Sequence, residues 1–165
     1  MKQVGIFYGS FTGDTEKAAL LIREKIRGKK VDLYNIIDSC AEDFNPYSMI
    51  IMGVSTWGVG ILQDDWMNFI PELNRSDLTG KKIALYGLGD QESYPETFAD
   101  GLGILHDFLV TKGCEIVGNW DPSGYRYTKS KAISKGMFVG LVLDEKNQPE
   151  LTEERISRWI SVLGL

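Results

Sequence analysis

The chain has 165 residues, 43% of them hydrophobic, enough for one domain with a full core. A formal charge of −5 disfavours nucleic acid and anionic membrane as partners, and no apolar run approaches the roughly 18 residues that span a bilayer. Cys40 and Cys114 stand far apart with no C-x-x-C, which fits a reducing cytoplasm, and a lone histidine, His106, gives little support to a metal site or a Ser-His-Asp triad.

The chain enters an apolar strand, Val4–Tyr8, and moves on to Asp14 and Glu16, so no signal peptide is expected. Residues 9–15, Gly-Ser-Phe-Thr-Gly-Asp-Thr, link that strand to a helical pattern starting near Glu16. The first turn of a helix has free N–H groups and the positive end of its dipole, so a loop placed there can bind phosphate. Ser10, Thr12 and Thr15 add hydroxyls, and Gly9 and Gly13 permit sharp turns. The loop has no lysine or arginine, unlike a P-loop, and it lacks the G-x-G-x-x-G of dinucleotide binders. What fits is one phosphate monoester held by dipoles; the alternative is a plain turn.

Further along, Ala18, Leu21, Ile22 and Ile26 mark one face of the first helix. A strand at Val31–Tyr34 and a short helix at Cys40–Phe44 come next, then a strand at Met49–Val54 and a loop at 55–63. A helix carries Trp66, Phe69, Ile70 and Leu73 on one face; the strand Ile83–Leu88 and a loop at 89–95 follow. Phe98, Leu102, Leu105 and Leu109 step by helical spacing. Strand-like runs at Ile116–Val117 and Phe138–Leu143 precede a last helix with Ile156, Trp159, Ile160 and Leu163. The runs at 50–54 and 83–88 are apolar throughout, as parallel strands covered on both faces should be. Alternating β and α predicts a doubly wound α/β fold, in which ligands sit beyond the C-terminal ends of the strands. The loops at 9–15, 55–63 and 89–95 leave strands at that edge.

Three of these segments resemble the flavodoxin family. Ser10-Phe11-Thr12-Gly13-Asp14-Thr15 matches its [ST]-x-T-G-x-T phosphate loop. Thr56-Trp57-Gly58-Val59-Gly60, with Leu62-Gln63-Asp64-Asp65-Trp66, resembles the loop over one flavin face; Gly87-Leu88-Gly89-Asp90-Gln91 with Tyr94 resembles the loop over the other. Gly118-Asn119-Trp120 and Gly140-Leu141-Val142-Leu143-Asp144 bracket an insertion into the last strand, the mark of long-chain members. Ser55 replaces the proline usual before Thr-Trp, and Thr97 the asparagine that many members carry.

The resemblance implies a five-stranded parallel sheet with helices on both faces, one domain over 1–165, and one FMN. It places the phosphate on Ser10, Phe11, Thr12, Gly13, Asp14 and Thr15. The ring would lie between Trp57 and Tyr94, with Ser55, Thr56, Gly58, Val59, Gly60, Leu88, Gly89, Asp90 and Thr97 around it. In the family the carbonyl at the Gly58 position turns toward flavin N5 in the semiquinone, a turn that glycine accepts without steric cost. Asp64, Asp65, Asp90 and Glu92 are expected near the ring, opposing the anionic hydroquinone and lowering the second potential. The implied protein is a cytoplasmic, monomeric, low-potential one-electron carrier, shuttling between semiquinone and hydroquinone and serving ferredoxin/flavodoxin reductase and low-potential oxidoreductases. It has no catalytic residue and no metal. An FMN-dependent quinone reductase is the alternative, and a flavin-free phosphoryl-binding or signalling domain the third reading. The insertion, Asn119–Gly136, carries Arg126, Lys129, Lys131 and Lys135 and reads either as a partner-recognition segment or as a flap on the sheet.

Overall fold

A computed structural model describes residues 3–165. The elements run β1 (Gln3–Tyr8), α1 (Asp14–Lys25), β2 (Lys30–Asn35), β3 (Met49–Trp57), β4 (Ile61–Leu62), α2 (Asp64–Arg75), β5 (Lys82–Leu88), α3 (Asp100–Leu109), β6 (Glu115–Val117), β7 (Ile133–Ser134), β8 (Met137–Phe138), β9 (Leu141–Leu143) and α4 (Thr152–Leu163). The segment expected as a short helix at 40–44 is a 3-10 turn over Ala41–Phe44, because four residues are too few to nucleate an α-helix.

The main sheet is parallel, in the order β2-β1-β3-β5-β6. Its last position is one strand in two pieces. β6 pairs with the first half of β5, from Lys82↔Glu115 to Ala84↔Val117, and β9 with the second half, from Tyr86↔Leu141 to Leu88↔Leu143. The insertion fills the gap between them. Phe138–Leu143 is therefore not one strand, as its unbroken apolar run suggested. Phe138 leaves to pair with Trp120 and Ile133, and Gly140 crosses β5 so closely that a Cβ there would lie 2.2 Å from the Leu85 carbonyl oxygen.

β3 also departs from expectation. It continues past Val54 to Trp57, because Ser55 pairs with Leu88 and Thr56 and Trp57 pair with Leu62 and Ile61 of β4. Ser55, Thr56 and Trp57 are thus strand residues. Pairing supplies the rigidity that the missing proline would have given to a loop.

Strand alternation assigns the helices to faces. Tyr86 donates its hydroxyl to the Thr15 carbonyl at 2.8 Å, which puts α1 on the Tyr86 face. Neighbouring Gly87 touches Leu102, so α3 covers the opposite face. Phe7 lies on that second face with Phe44, whose ring meets Phe69 of α2. α4 joins α1 on the first face and is anchored by the Trp159 indole, which donates to the Gly118 carbonyl at 2.8 Å. Burying side chains such as Trp66, Phe7 and Ile51 stabilises each interface by roughly 1.5–3 kcal/mol per residue.

Candidate flavin site

The C-terminal ends of β1, β3, β5 and β9 open into a cleft of about 770 Å³, its solvent-facing mouth included.

One end of the cleft is the start of α1. Gly13 precedes the helix at φ 93, a left-handed turn that a side chain would strain. Its amide donates to the Ser10 hydroxyl at 3.0 Å, which closes the loop on itself. The amides of Phe11, Thr12, Asp14 and Thr15 have no hydrogen-bond partner among the described residues. Thr12, Asp14 and Thr15 line the cleft, whereas Ser10, Phe11 and Gly13 shape the loop without lining it. Orphan amides at a helix N-terminus suit a phosphate dianion and nothing positively charged. The loop is held from below by Tyr86, whose ring fits because Gly53 has no side chain: a Cβ there would lie 2.0 Å from Tyr86 Cζ.

Trp57 and Tyr94 are the walls. Both line the cleft and keep 36% and 44% of their surface exposed, so neither ring belongs to the core. Trp57 is braced edge-on by Phe11, with ring centroids 4.9 Å apart. It ends β3, and residues 58–60 form the tip of the hairpin to β4. Gly58, at φ 48, lines the cleft with no atom within 4 Å of where a Cβ would point. Val59 is exposed and outside the cleft lining, and Gly60 packs backward against Asp100 and Thr97.

On the other wall, Leu88, Gly89, Asp90, Tyr94 and Thr97 line the cleft, together with Ser55 and Thr56 from β3. This loop is tied to the end of β9. Buried Asp144 accepts from the Gln91 amide at 3.0 Å, and Asn147 donates from Nδ2 to Asp90 at 2.9 Å. Burial pushes the Asp90 carboxyl up, but hydrogen bonds from Ser93 and Asn147 outweigh it and hold it below the ordinary carboxylate range. Of the four acidic residues expected around the ring, only Asp90 lines the cleft. Asp64 and Asp65 open α2, where Asp65 accepts from Gln63 at 2.8 Å, and Glu92 faces solvent. His106 lies half-buried on α3 beside Asp107, outside the cleft.

Four lining residues escaped the sequence reading: Phe98, Ala99, Glu145 and Lys146. Glu145 and Lys146 follow β9, and the rule that ligands sit beyond strand C-termini points there once β9 is separated from β8. Ala99 precedes α3 at φ 55, a left-handed conformation with no mark in the sequence.

This fold and cleft define a doubly wound α/β protein whose cleft joins the orphan amides of α1 to two exposed aromatic rings. The model of the flavodoxin family matches residues 6–159. The flavodoxin of Synechocystis is 46% identical over 162 residues, 98% of this chain and 95% of its own length. Flavodoxin 1 of Escherichia coli K12 is 42% identical over 165 residues, covering 99% and 94% of the two chains. A Fusobacterium nucleatum flavodoxin solved bound to flavin mononucleotide superimposes with a TM-score of 0.94 at 36% identity, over 99% of this chain and 98% of that one. The chain belongs to the flavodoxin family, whose members transfer electrons rather than turn over a substrate.

Proposed function

We propose that the protein binds one FMN in this cleft and carries single electrons between redox partner proteins. The observation that carries the reading is the juxtaposition of two exposed aromatic walls, Trp57 and Tyr94, with the orphan amides that open α1. Bound FMN supplies the redox chemistry. The residues do the rest. The amides of Phe11, Thr12, Asp14 and Thr15 and the hydroxyls of Thr12 and Thr15 take the phosphate. Trp57 and Tyr94 stack on a ring and exclude water from it, each aromatic contact adding about 1 kcal/mol beyond burial. Gly58 leaves the hairpin tip free to present its carbonyl at the ring edge, and ionised Asp90 opposes negative charge there.

Several finer points belong to the same proposal. Ser10–Thr15, Ser55–Gly60, Leu88, Gly89, Asp90, Tyr94 and Thr97 frame the FMN site, with Ser10, Phe11, Gly13, Val59 and Gly60 shaping it from outside the cleft lining. The chain is one domain of the long-chain type, since the insertion splits the last strand. It is monomeric and cytoplasmic, a location that suits two free cysteines. Its partners are a ferredoxin/flavodoxin-type reductase and low-potential oxidoreductases. No helix among the described residues is long and apolar enough to cross a membrane. Release of the ligand by denaturation, followed by chromatography, tests the reading: FMN at one per chain is expected, and predominant FAD or no flavin overturns it.

A further inference from the structure

The start of α3 meets three parts of the molecule at once. Gly101 faces β3: its amide donates to Thr56 Oγ1 at 2.9 Å, and a Cβ there would lie 3.0 Å from the Ser55 carbonyl oxygen. Asp100, 3% exposed, faces two ways. Its Oδ1 accepts from the Lys131 amide of the insertion at 2.7 Å, and its Oδ2 lies 2.8 Å from where a Cβ on Gly60 would sit. One helical turn on, Gly103 lets the insertion pass so closely that a Cβ there would lie 2.3 Å from the Lys131 carbonyl oxygen. Positions 100 and 103 share a helix face, so the insertion is seated on α3 along one line.

The insertion also grips the Tyr94 loop. The amides of Thr128 and Lys129 donate to the Pro95 carbonyl at 2.8 and 3.0 Å, and the Phe98 amide donates to the Lys129 carbonyl at 3.2 Å. The insertion thus holds the Tyr94 wall directly and reaches the Trp57 wall through Asp100. A surface flap packed for stability alone has no need of a buried carboxylate between itself and a hairpin tip.

We infer that Asp100 is a positioning residue for the flavin site: by accepting from the Lys131 amide on one side and packing against Gly60 of the hairpin tip on the other, it sets the spacing of the two aromatic walls. This rests on the FMN reading above. Lys131 lies outside the cleft, so the insertion tunes the site from a distance and touches no ligand. With the Lys131 bond lost, the carboxylate that Gly60 packs against is no longer fixed, so the tip carrying Gly58 gains freedom, and ring stacking and the carbonyl at the ring edge suffer together.

The test compares Asp100→Ala, Asp100→Asn and Lys131→Pro, the last of which removes the amide donor while leaving the carboxylate in place. Asp100→Ala and Lys131→Pro are each expected to weaken FMN about tenfold, the scale of a buried hydrogen bond to a charged group, and to alter the separation of the two midpoint potentials. Asp100→Asn keeps an acceptor for the Lys131 amide and is expected to stay within about twofold of the unaltered protein. A readout that needs no flavin accompanies these. In the apoprotein, hydrogen exchange at the Lys131 and Gly101 amides, which donate to Asp100 and to Thr56, should speed up in Asp100→Ala and not in Asp100→Asn. Should Asp100→Ala fail to fold, Lys131→Pro carries the same comparison. A lowered melting temperature with unchanged FMN affinity and potentials means that Asp100 is structural only, and the inference falls. It also falls if Asp100→Asn is as impaired as Asp100→Ala, because charge and not the amide bond is then at work. Failure of the unaltered protein to bind FMN removes the parent reading instead, and the exchange data alone then decide whether Asp100 fixes the start of α3 against the insertion and β3.

Discussion

Single residues at the cleft divide by what they offer a ligand. Thr12 is exposed and supplies a hydroxyl beside orphan amides, so its effect should appear only for ligands with a phosphate. Thr12→Val is expected to weaken FMN by about 1 kcal/mol, one lost hydrogen bond, and to leave riboflavin unchanged; paired titrations of the apoprotein with the two ligands measure this. Equal losses would move the phosphate away from α1. Tyr94 offers a ring face and has no core role to lose. Tyr94→Ala should weaken both ligands by roughly 1–3 kcal/mol and release quenched flavin fluorescence, with little change in the stability of the apoprotein. Both residues stood out in the sequence because they follow strand ends in segments that match the flavodoxin loops, although a loop of Ser, Thr and Gly can also be a plain turn. Ala99 was not legible, because its left-handed φ of 55 is imposed by the packing of the turn ahead of α3 and not by its own side chain.

At the scale of elements, the sequence missed register more than identity. β3 reads as ending at Val54, since Ser55 and Thr56 break the apolar run, yet pairing with Leu88 and β4 carries it to Trp57. β8 and β9 read as one strand, since nothing local marks Gly140 as the crossing of two partners. The acidic residues separate in the same way: Asp64 and Asp65 open α2 and do not line the cleft, whereas Asp90 lines it and is ionised at neutral pH. Asp90→Asn is therefore expected to raise the more negative midpoint potential by tens of millivolts, a Coulomb effect of roughly 1 kcal/mol at an effective dielectric near 20. Asp64→Asn with Asp65→Asn should shift it less, and that shift should fade in high salt, as it does for exposed charges. Potentiometric titration at two ionic strengths separates the cases; a larger, salt-insensitive shift from the α2 pair would contradict the geometry.

For the molecule as a whole, buried phenols set an alkaline limit to the fold. Tyr86 lies wholly inside between β5 and α1, and burial pushes its hydroxyl well above the ordinary phenol range. Burial raises Tyr125 to about 12, while Arg155, 4.1 Å over its ring, and the Trp120 N–H pull the other way. Tyr125 ties the insertion to β9 by donating to the Val142 carbonyl, as Tyr86 ties the phosphate loop to the sheet through Thr15. The sign follows from linkage. A folded pKa above the unfolded value of about 10 gives stability that is complete below pH 10 and is lost as pH rises through the folded value. Each such phenol removes up to about 1.4 kcal/mol per pH unit in that window. Chemical denaturation at successive pH values should thus show a plateau near neutrality and a steep decline from about pH 10. Tyr125→Phe should lower the plateau, having lost the Val142 bond and the acceptor for Trp120, but should decline less steeply between about 10 and 12. Tyr86→Phe should flatten the decline further along the alkaline range and, by freeing the Thr15 carbonyl, loosen the grip on FMN more than on riboflavin. A decline of unchanged slope in both variants would show that other groups set the alkaline limit.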